Sequence, residues 1–342
     1  MSIRIGLRPA VKAACVTVAC VSIAFGLTAC GDDEATDASS EVSTSPSDSS
    51  SPSPSPSRAS TSPAASGEVP TVKGAFGETP TVTVPDAQPP TELVVKTLSE
   101  GDGPEVQSGQ IIVVDYLGVR WENGETFDTS FERGPAGFSI GTGGVIKGWD
   151  AGLVGVPVGS RVLLVVPPEL GYGDTSPGEP IQAGDTLVFV VDVLGVHDVD
   201  ETAKGEPAPT EDDSLPYVAI TPKAPEIVIP AGDPAGRLIT IPVVVGDGPK
   251  VKAGDSIVVQ YKGVLWRTGK EFDSSWSRQQ PMTITIGQGA VIPGWDKGLV
   301  GQTVGSRVML VIPPKDGYGS AGQGPIKGTD TMVFAVDILG AY

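Results

Sequence analysis

The chain has 342 residues, room for about two domains of ordinary size, and carries 41 acidic against 23 basic side chains, for a formal net charge of −18. So acidic a surface excludes nucleic acid and anionic lipid headgroups as partners held by charge. One histidine and three cysteines leave no material for a His-rich metal site or a disulfide framework.

The first 29 residues read as a leader. Arg4, Arg8 and Lys12 give a basic start, an apolar run follows from Ala13 to Phe25, and small residues close it, the pattern of an export signal. The other reading is a membrane span, for which the run is short of about 20 apolar residues. Leu27-Thr28-Ala29-Cys30 followed by Gly31 resembles the lipobox of bacterial lipoproteins. That resemblance implies cleavage before Cys30, lipidation of its sulfur, and a protein held at the outer face of the cell membrane. Cys15 and Cys20 would leave with the leader, and the formal charge would fall from −18 to −21. Residues 30–71, with SSSPSPSPS at 49–57, read as a disordered Ser/Pro tether. Its upper reach is on the order of 120 Å at about 3.1 Å per residue.

Beyond the tether the chain says the same thing twice. IIVVDYLGVRWENGETFDTSFERG at 111–134 returns as SIVVQYKGVLWRTGKEFDSSWSRQ at 256–279, and GGVIKGWDAGLVG at 143–155 as GAVIPGWDKGLVG at 289–301. VVPPELGYG at 165–173 likewise returns at 311–319. A spacing of about 145 residues marks a duplicated domain, because solenoid repeats run to roughly 20–50. The units are placed at 72–197 and 218–342, with an acidic linker at 198–217. Short Val- and Ile-rich runs bounded by Gly and Pro predict strands, and GWDAGLVG with its twin GWDKGLVG predicts one short helix per unit. The class is α+β: an antiparallel sheet packed on a short helix. Prolines 80, 85 and 89 recur at 225, 230 and 234, so each unit starts upstream of its strongest motifs.

Chemistry common to both units must use residues present in both. His197 aligns with Tyr342, so no His general base or triad is shared. No P-loop occurs, GTGGVIKG at 141–148 lacks the third glycine of a dinucleotide loop, and no second carboxylate holds a fixed spacing to Asp128 or Asp273 in a way that suggests paired acid/base work. What recurs is aromatic and nearly nonpolar. The first unit carries Tyr116, Phe127, Asp128, Arg133, Val145, Ile146, Trp149, Tyr172, Ile181 and Phe189. The second carries Tyr261, Phe272, Asp273, Arg278, Val291, Ile292, Trp295, Tyr318, Ile326 and Phe334. Taken singly, such a Trp or Phe is ordinary core, and FDTS or FDSS an Asx-turn.

At these positions the pattern Y-x-G…FD[ST]S…VI-x-GWD…PP-x-x-GYG…[LM]VF resembles the FKBP-type peptidyl-prolyl cis-trans isomerases over about 110 residues of each unit. The resemblance implies two tandem FKBP-like domains, each an antiparallel half-barrel of five or six strands around a short helix. It implies a prolyl pocket floored by Trp149 or Trp295 and walled by Phe127, Phe189, Val145 and Ile146, or Phe272, Phe334, Val291 and Ile292. The backbone N–H of Ile146 or Ile292 and the hydroxyl of Tyr172 or Tyr318 are its expected donors. Asp128, Arg133 and Tyr116, like Asp273, Arg278 and Tyr261, form a polar cluster at the pocket edge. Ile181 and Ile326 complete the substrate-binding set. Catalysis falls to Asp128, Tyr172, Phe189, Asp273, Tyr318 and Phe334. No cofactor or metal is needed.

Two departures are visible. An aromatic common before the GxGxVI strand end is replaced by Ala136 and Met282, so the rim should be less aromatic, most of all in the first unit. Gly144 and Ala290 stand where a polar side chain is common. Both suggest reduced affinity for the family's macrolide inhibitors. The expected substrates are proline-containing segments of exported proteins. The alternative is a module that binds such segments, as chaperone or scaffold, without turnover.

Overall fold

A computed structural model describes residues 68–208 and 212–342. The leader, Cys30 and nearly all of the tether lie outside the described residues. Among those described, no helix is long and apolar enough to cross a membrane.

The first unit opens with a small hairpin, β1 (Thr71–Lys73) and β2 (Thr81–Thr83). There follow β3 (Val94–Ser99), β4 (Ile111–Arg120), β5 (Thr126–Thr129), β6 (Ala136–Ser139), α1 (Lys147–Leu153), β7 (Arg161–Val166) and β8 (Leu187–His197). The sheet is antiparallel in the order β3-β7-β8-β4-β5, with β6 also paired to β4. The second unit repeats this with β10 (Tyr217–Val218) and β11 (Ile227–Val228) as hairpin. Then come β12 (Ile239–Gly246), β13 (Ser256–Leu265), β14 (Glu271–Ser274), an extra turn of helix α2 (Ser275–Arg278), β15 (Met282–Thr285), α3 (Pro293–Leu299), β16 (Arg307–Ile312) and β17 (Met332–Ala341). Its sheet holds a seventh strand, because β9 (Gly205–Pro207), inside the stretch read as a linker, pairs with the end of β12. A linker that carries a strand of the following sheet cannot act as a free joint.

The run VLLVV of β7 is apolar at every position because both faces of the sheet are covered. Along β7, Val162, Leu164 and Val166 join the core on the helix side, while Leu163 and Val165 join a second core on the other. β16 divides in the same way, with Val308, Leu310 and Ile312 inward and Met309 and Val311 outward. The two-residue alternation of a strand thus serves two cores. The amino-terminal hairpins cover the outer one. Val72, Val82 and Val84 pack there in the first unit, and Val218 and Ile227 in the second.

Each hairpin is clamped by a buried arginine. Arg161 makes a two-pronged pair with Asp192 at 2.5 and 2.7 Å and donates to the carbonyls of Gly74 and Glu78. Arg307 pairs with Asp337 at 2.6 and 2.7 Å and reaches Ala219 and Thr221. Such pairing meets the requirement that a buried charge be matched and hydrogen-bonded.

The helix lies close to the sheet because its motif supplies glycines where contact is tightest. A Cβ on Gly148 would come within 2.5 Å of Val166, and one on Gly152 within 2.8 Å of Leu164. Gly294 and Gly298 meet Ile312 and Leu310 in the same way. The two units also touch. Val113, Val258 and Leu339 form a small buried cluster with Leu194 and Tyr342, and the His197 ring is 2.8 Å from the Tyr342 hydroxyl.

Candidate functional site

Between helix and sheet each unit opens into one cavity, of about 250 Å³ in the first and about 480 Å³ in the second. Trp149 and Trp295, each only 4 % exposed, lie on the helices at the base. Neither indole N–H has a hydrogen-bond partner among the described residues. Phe189 stands edge-on to Trp149 at 5.3 Å and to Phe127 at 5.5 Å. Phe334 repeats this with Trp295 and Phe272, both at 5.4 Å. These are favoured quadrupolar arrangements.

The glycine of Y-x-G makes room for the wall: a Cβ on Gly118 would lie 2.5 Å from Phe127, and one on Gly263 2.6 Å from Phe272. Strand pairing holds those phenyl rings there, since Gly118 faces Asp128 across the ladder and Gly263 faces Asp273. The Asp of the GWD motif has a different task. Asp150 accepts the backbone N–H groups of Gly141 and Gly143, and Asp296 those of Gly287 and Gly289. It pins the loop that leads into the helix.

At the edge sits a three-membered polar cluster. The Tyr116 hydroxyl donates to Asp128 and accepts from Arg133 at 2.7 Å, and Arg133 also pairs with Asp128 at 2.7 Å. Tyr261, Asp273 and Arg278 form the same triangle. Burial, then the bond to its aspartate, raises the Tyr116 pKa and pushes that of Tyr261 up to about 12. Both hydroxyls therefore stay protonated at neutral pH. Each carboxylate holds a tyrosine and an arginine together and so fixes the shape of the rim. No group of His, Cys, Asp and Glu among the described residues could hold a metal ion.

Each cavity gathers its Tyr, Phe, Asp, Val, Ile, Trp, Tyr and Phe of the expected set. Arg133 and Arg278 act from the rim through the tyrosine hydroxyl. Ile146 and Ile292 cap their helices at the amino end, and among the described residues their N–H groups have no protein acceptor. Tyr172 is 42 % exposed. Tyr318 instead packs against the core, and burial, then the nearby Asp273 charge, raises its pKa.

Ile181 and Ile326, in the loop after GYG, are not among the lining residues; they are buried in the same clusters as the cavity's indole and phenyl rings. One expectation is corrected: the first rim is not the poorer in aromatics. Phe138, two residues after Ala136 on the same face of β6, lines the cavity, edge-on to Trp149 at 5.3 Å and to Tyr116 at 6.0 Å. The missed signal was strand alternation, which puts positions 136 and 138 on one side.

A family model described as FKBP-type peptidyl-prolyl cis-trans isomerase matches residues 103–194 and 248–339. A relative from Streptomyces anulatus named FK506-binding protein is 46 % identical over 114 residues, 33 % of this chain and 92 % of its own length. The human peptidyl-prolyl cis-trans isomerase FKBP10 is 33 % identical over 236 residues, covering 68 % of this chain but 34 % of that protein. Mouse FKBP9 is 32 % identical over 235 residues, with 35 % of its length covered. The chain thus spans about a third of these mammalian relatives. With one matched segment in each half, each closing around its own indole-floored cavity, the chain belongs to the FKBP-type peptidyl-prolyl cis-trans isomerase family.

Proposed function

We propose that both units accelerate rotation about X-Pro bonds in exported proteins, from a position at the outer face of the cell membrane. The barrier is roughly 18–20 kcal/mol because the twisted amide loses resonance, and uncatalysed exchange takes tens to hundreds of seconds. A twisted amide has a less polar carbonyl than a planar one, so water favours the planar form. A dry cavity floored by an unpartnered indole gives up that preference and binds the twisted form relatively better, which is the differential binding catalysis requires. Shortening a ~100 s step to ~10 ms needs about 5 kcal/mol. Cavity shape, together with the free N–H of Ile146 or Ile292 and the Tyr172 or Tyr318 hydroxyl, supplies interactions on that scale.

The observation that carries this reading is the convergence of Trp, Phe, Tyr and Asp side chains on one concavity per unit, with Arg133 or Arg278 holding the tyrosine and aspartate from the rim. The export and anchoring part rests on the basic-apolar leader and the LTAC-G motif ending at Cys30. Macrolide inhibitors should bind the first unit less well than the second, since Phe138 narrows its cavity. Refolding of a proline-limited model protein tests the activity: the full chain should speed the slow phase. Binding of proline peptides with no change in that phase would instead make the chain a binding module. The mass of the mature protein tests the anchor, and an intact Met1 start would refute it.

A further inference from the structure

The two cavities share their floor and walls but differ at one wall. The partner of Ile112 on β6 is Phe138, and the partner of the twin Ile257 on β15 is Ile284. Phe138 stands in the first cavity against Trp149 and Tyr116. Ile284 is absent from the lining of the second, where the flexible Met282 borders the opening instead. With nine lining positions otherwise matched, the first cavity is about 250 Å³ and the second about 480 Å³. Pockets that enclose a whole small ligand run from about 300 to 1,000 Å³. The second falls within that range and the first below it.

In an isomerase the bond that turns joins the proline ring to the residue before it. The carbonyl and Cα of that residue enter the cavity with the ring, and its side chain must use whatever room remains. Resting on the isomerase reading, we infer that the first unit selects a small residue, glycine or alanine, before proline. The second admits a large apolar one, leucine or phenylalanine. Phe138 is the specificity-determining residue. The tandem then divides X-Pro sites between its halves by the bulk of X.

The test uses the full chain with one unit silenced, by Asp273→Ala with Phe334→Ala or by Asp128→Ala with Phe189→Ala. Turnover of short peptides with Ala-Pro, Leu-Pro and Phe-Pro is compared as kcat/KM. A misfit in an apolar pocket changes kcat/KM by roughly 10–200-fold, so the Phe-Pro to Ala-Pro ratio should be at least about tenfold higher in the second unit. Phe138→Ile should raise the ratio in the first unit, and Ile284→Phe should lower it in the second. A variant that merely loosens its unit would depress all three peptides together and leave the ratio in place. Equal ratios in the two units, or ratios unmoved by both substitutions, overturn the inference. Should no peptide turn over, the isomerase reading fails. The same ratios, taken as Kd from tryptophan fluorescence, then decide the selectivity on their own.

Discussion

Gly263→Ala puts the pocket wall to a quantitative test without touching a functional group. The added methyl carbon would lie 2.6 and 3.0 Å from two atoms of the Phe272 ring and 2.8 Å from the Phe334 ring. Carbon atoms settle at about 3.5–4.0 Å, so both rings must retreat by roughly 0.5–1 Å. Overpacking of this size costs about 1–3 kcal/mol of stability, less than a domain's whole margin of about 5–15 kcal/mol. The unit therefore stays folded with its walls displaced. A misplacement of about 1 Å in a reacting geometry can cost about 10²-fold, and the expected loss in kcat/KM is about 10- to 100-fold. The assay is peptide isomerisation by the full chain with the first unit silenced, alongside near-ultraviolet circular dichroism and urea unfolding. A variant that is destabilised as stated but turns over within about twofold of its parent would refute the claim that ring position governs turnover.

Arg307→Met strands the buried Asp337 carboxylate and should cost about 3–5 kcal/mol in urea unfolding; adding Asp337→Leu should recover much of that loss. The same variant should free the β10–β11 hairpin, read as faster amide exchange across 217–228. Tyr261 and Tyr342 have pKa values raised from 10.0 to about 12, so they add stability that is complete below pH 10 and lost as pH rises towards 12. Alkaline titration followed by tyrosinate absorbance should show fewer ionised tyrosines at pH 11 in the native than in the urea-unfolded chain. Tyr342→Phe removes the bond to His197, with an expected cost of about 1 kcal/mol and peptide turnover unchanged.

The motifs announced the pocket well because each of its parts is local in sequence and constrained by close contact. Gly118 and Gly263 sit under a ring, Gly148 and Gly152 under a strand, and Asp150 ties the loop before the helix. Spacing alone therefore betrays them. The hairpins were less legible. Only their prolines repeated, and the reason for unbroken apolar strands appears once Val72, Val82, Val218 and Ile227 are seen covering the outer face. Ile181 and Ile326 were harder to place, because a residue in a loop beside a pocket can face the cavity or pack behind its walls, and nothing in the sequence around them separates the two.

The contact between the two copies is itself built from matching positions. Val113 meets Val258, and Leu339 and Leu194 belong to the same cluster, so matching positions of the two units face each other. In a symmetric pair every such patch must be complementary to itself. A side chain near the symmetry axis then confronts its own copy. A Cβ on Gly137 would lie 2.0 Å from the hydroxyl oxygen of Thr283, its counterpart on β15, so two threonines could not share that place. Gly195 and Gly340 are likewise closed in by Tyr342 and His197. His197 and Tyr342, counterparts in the two copies, form a ring nitrogen to hydroxyl bond that neither a His–His nor a Tyr–Tyr pair would reproduce. Glu201, 2.8 Å from the other ring nitrogen, holds that imidazole in place. Once the two halves share a chain, the positions that must fit their own twin are freed to differ. Gly137 with Thr283 and His197 with Tyr342 have used that freedom, while Val113 with Val258 and Leu194 with Leu339, at the centre of the contact, have stayed the same.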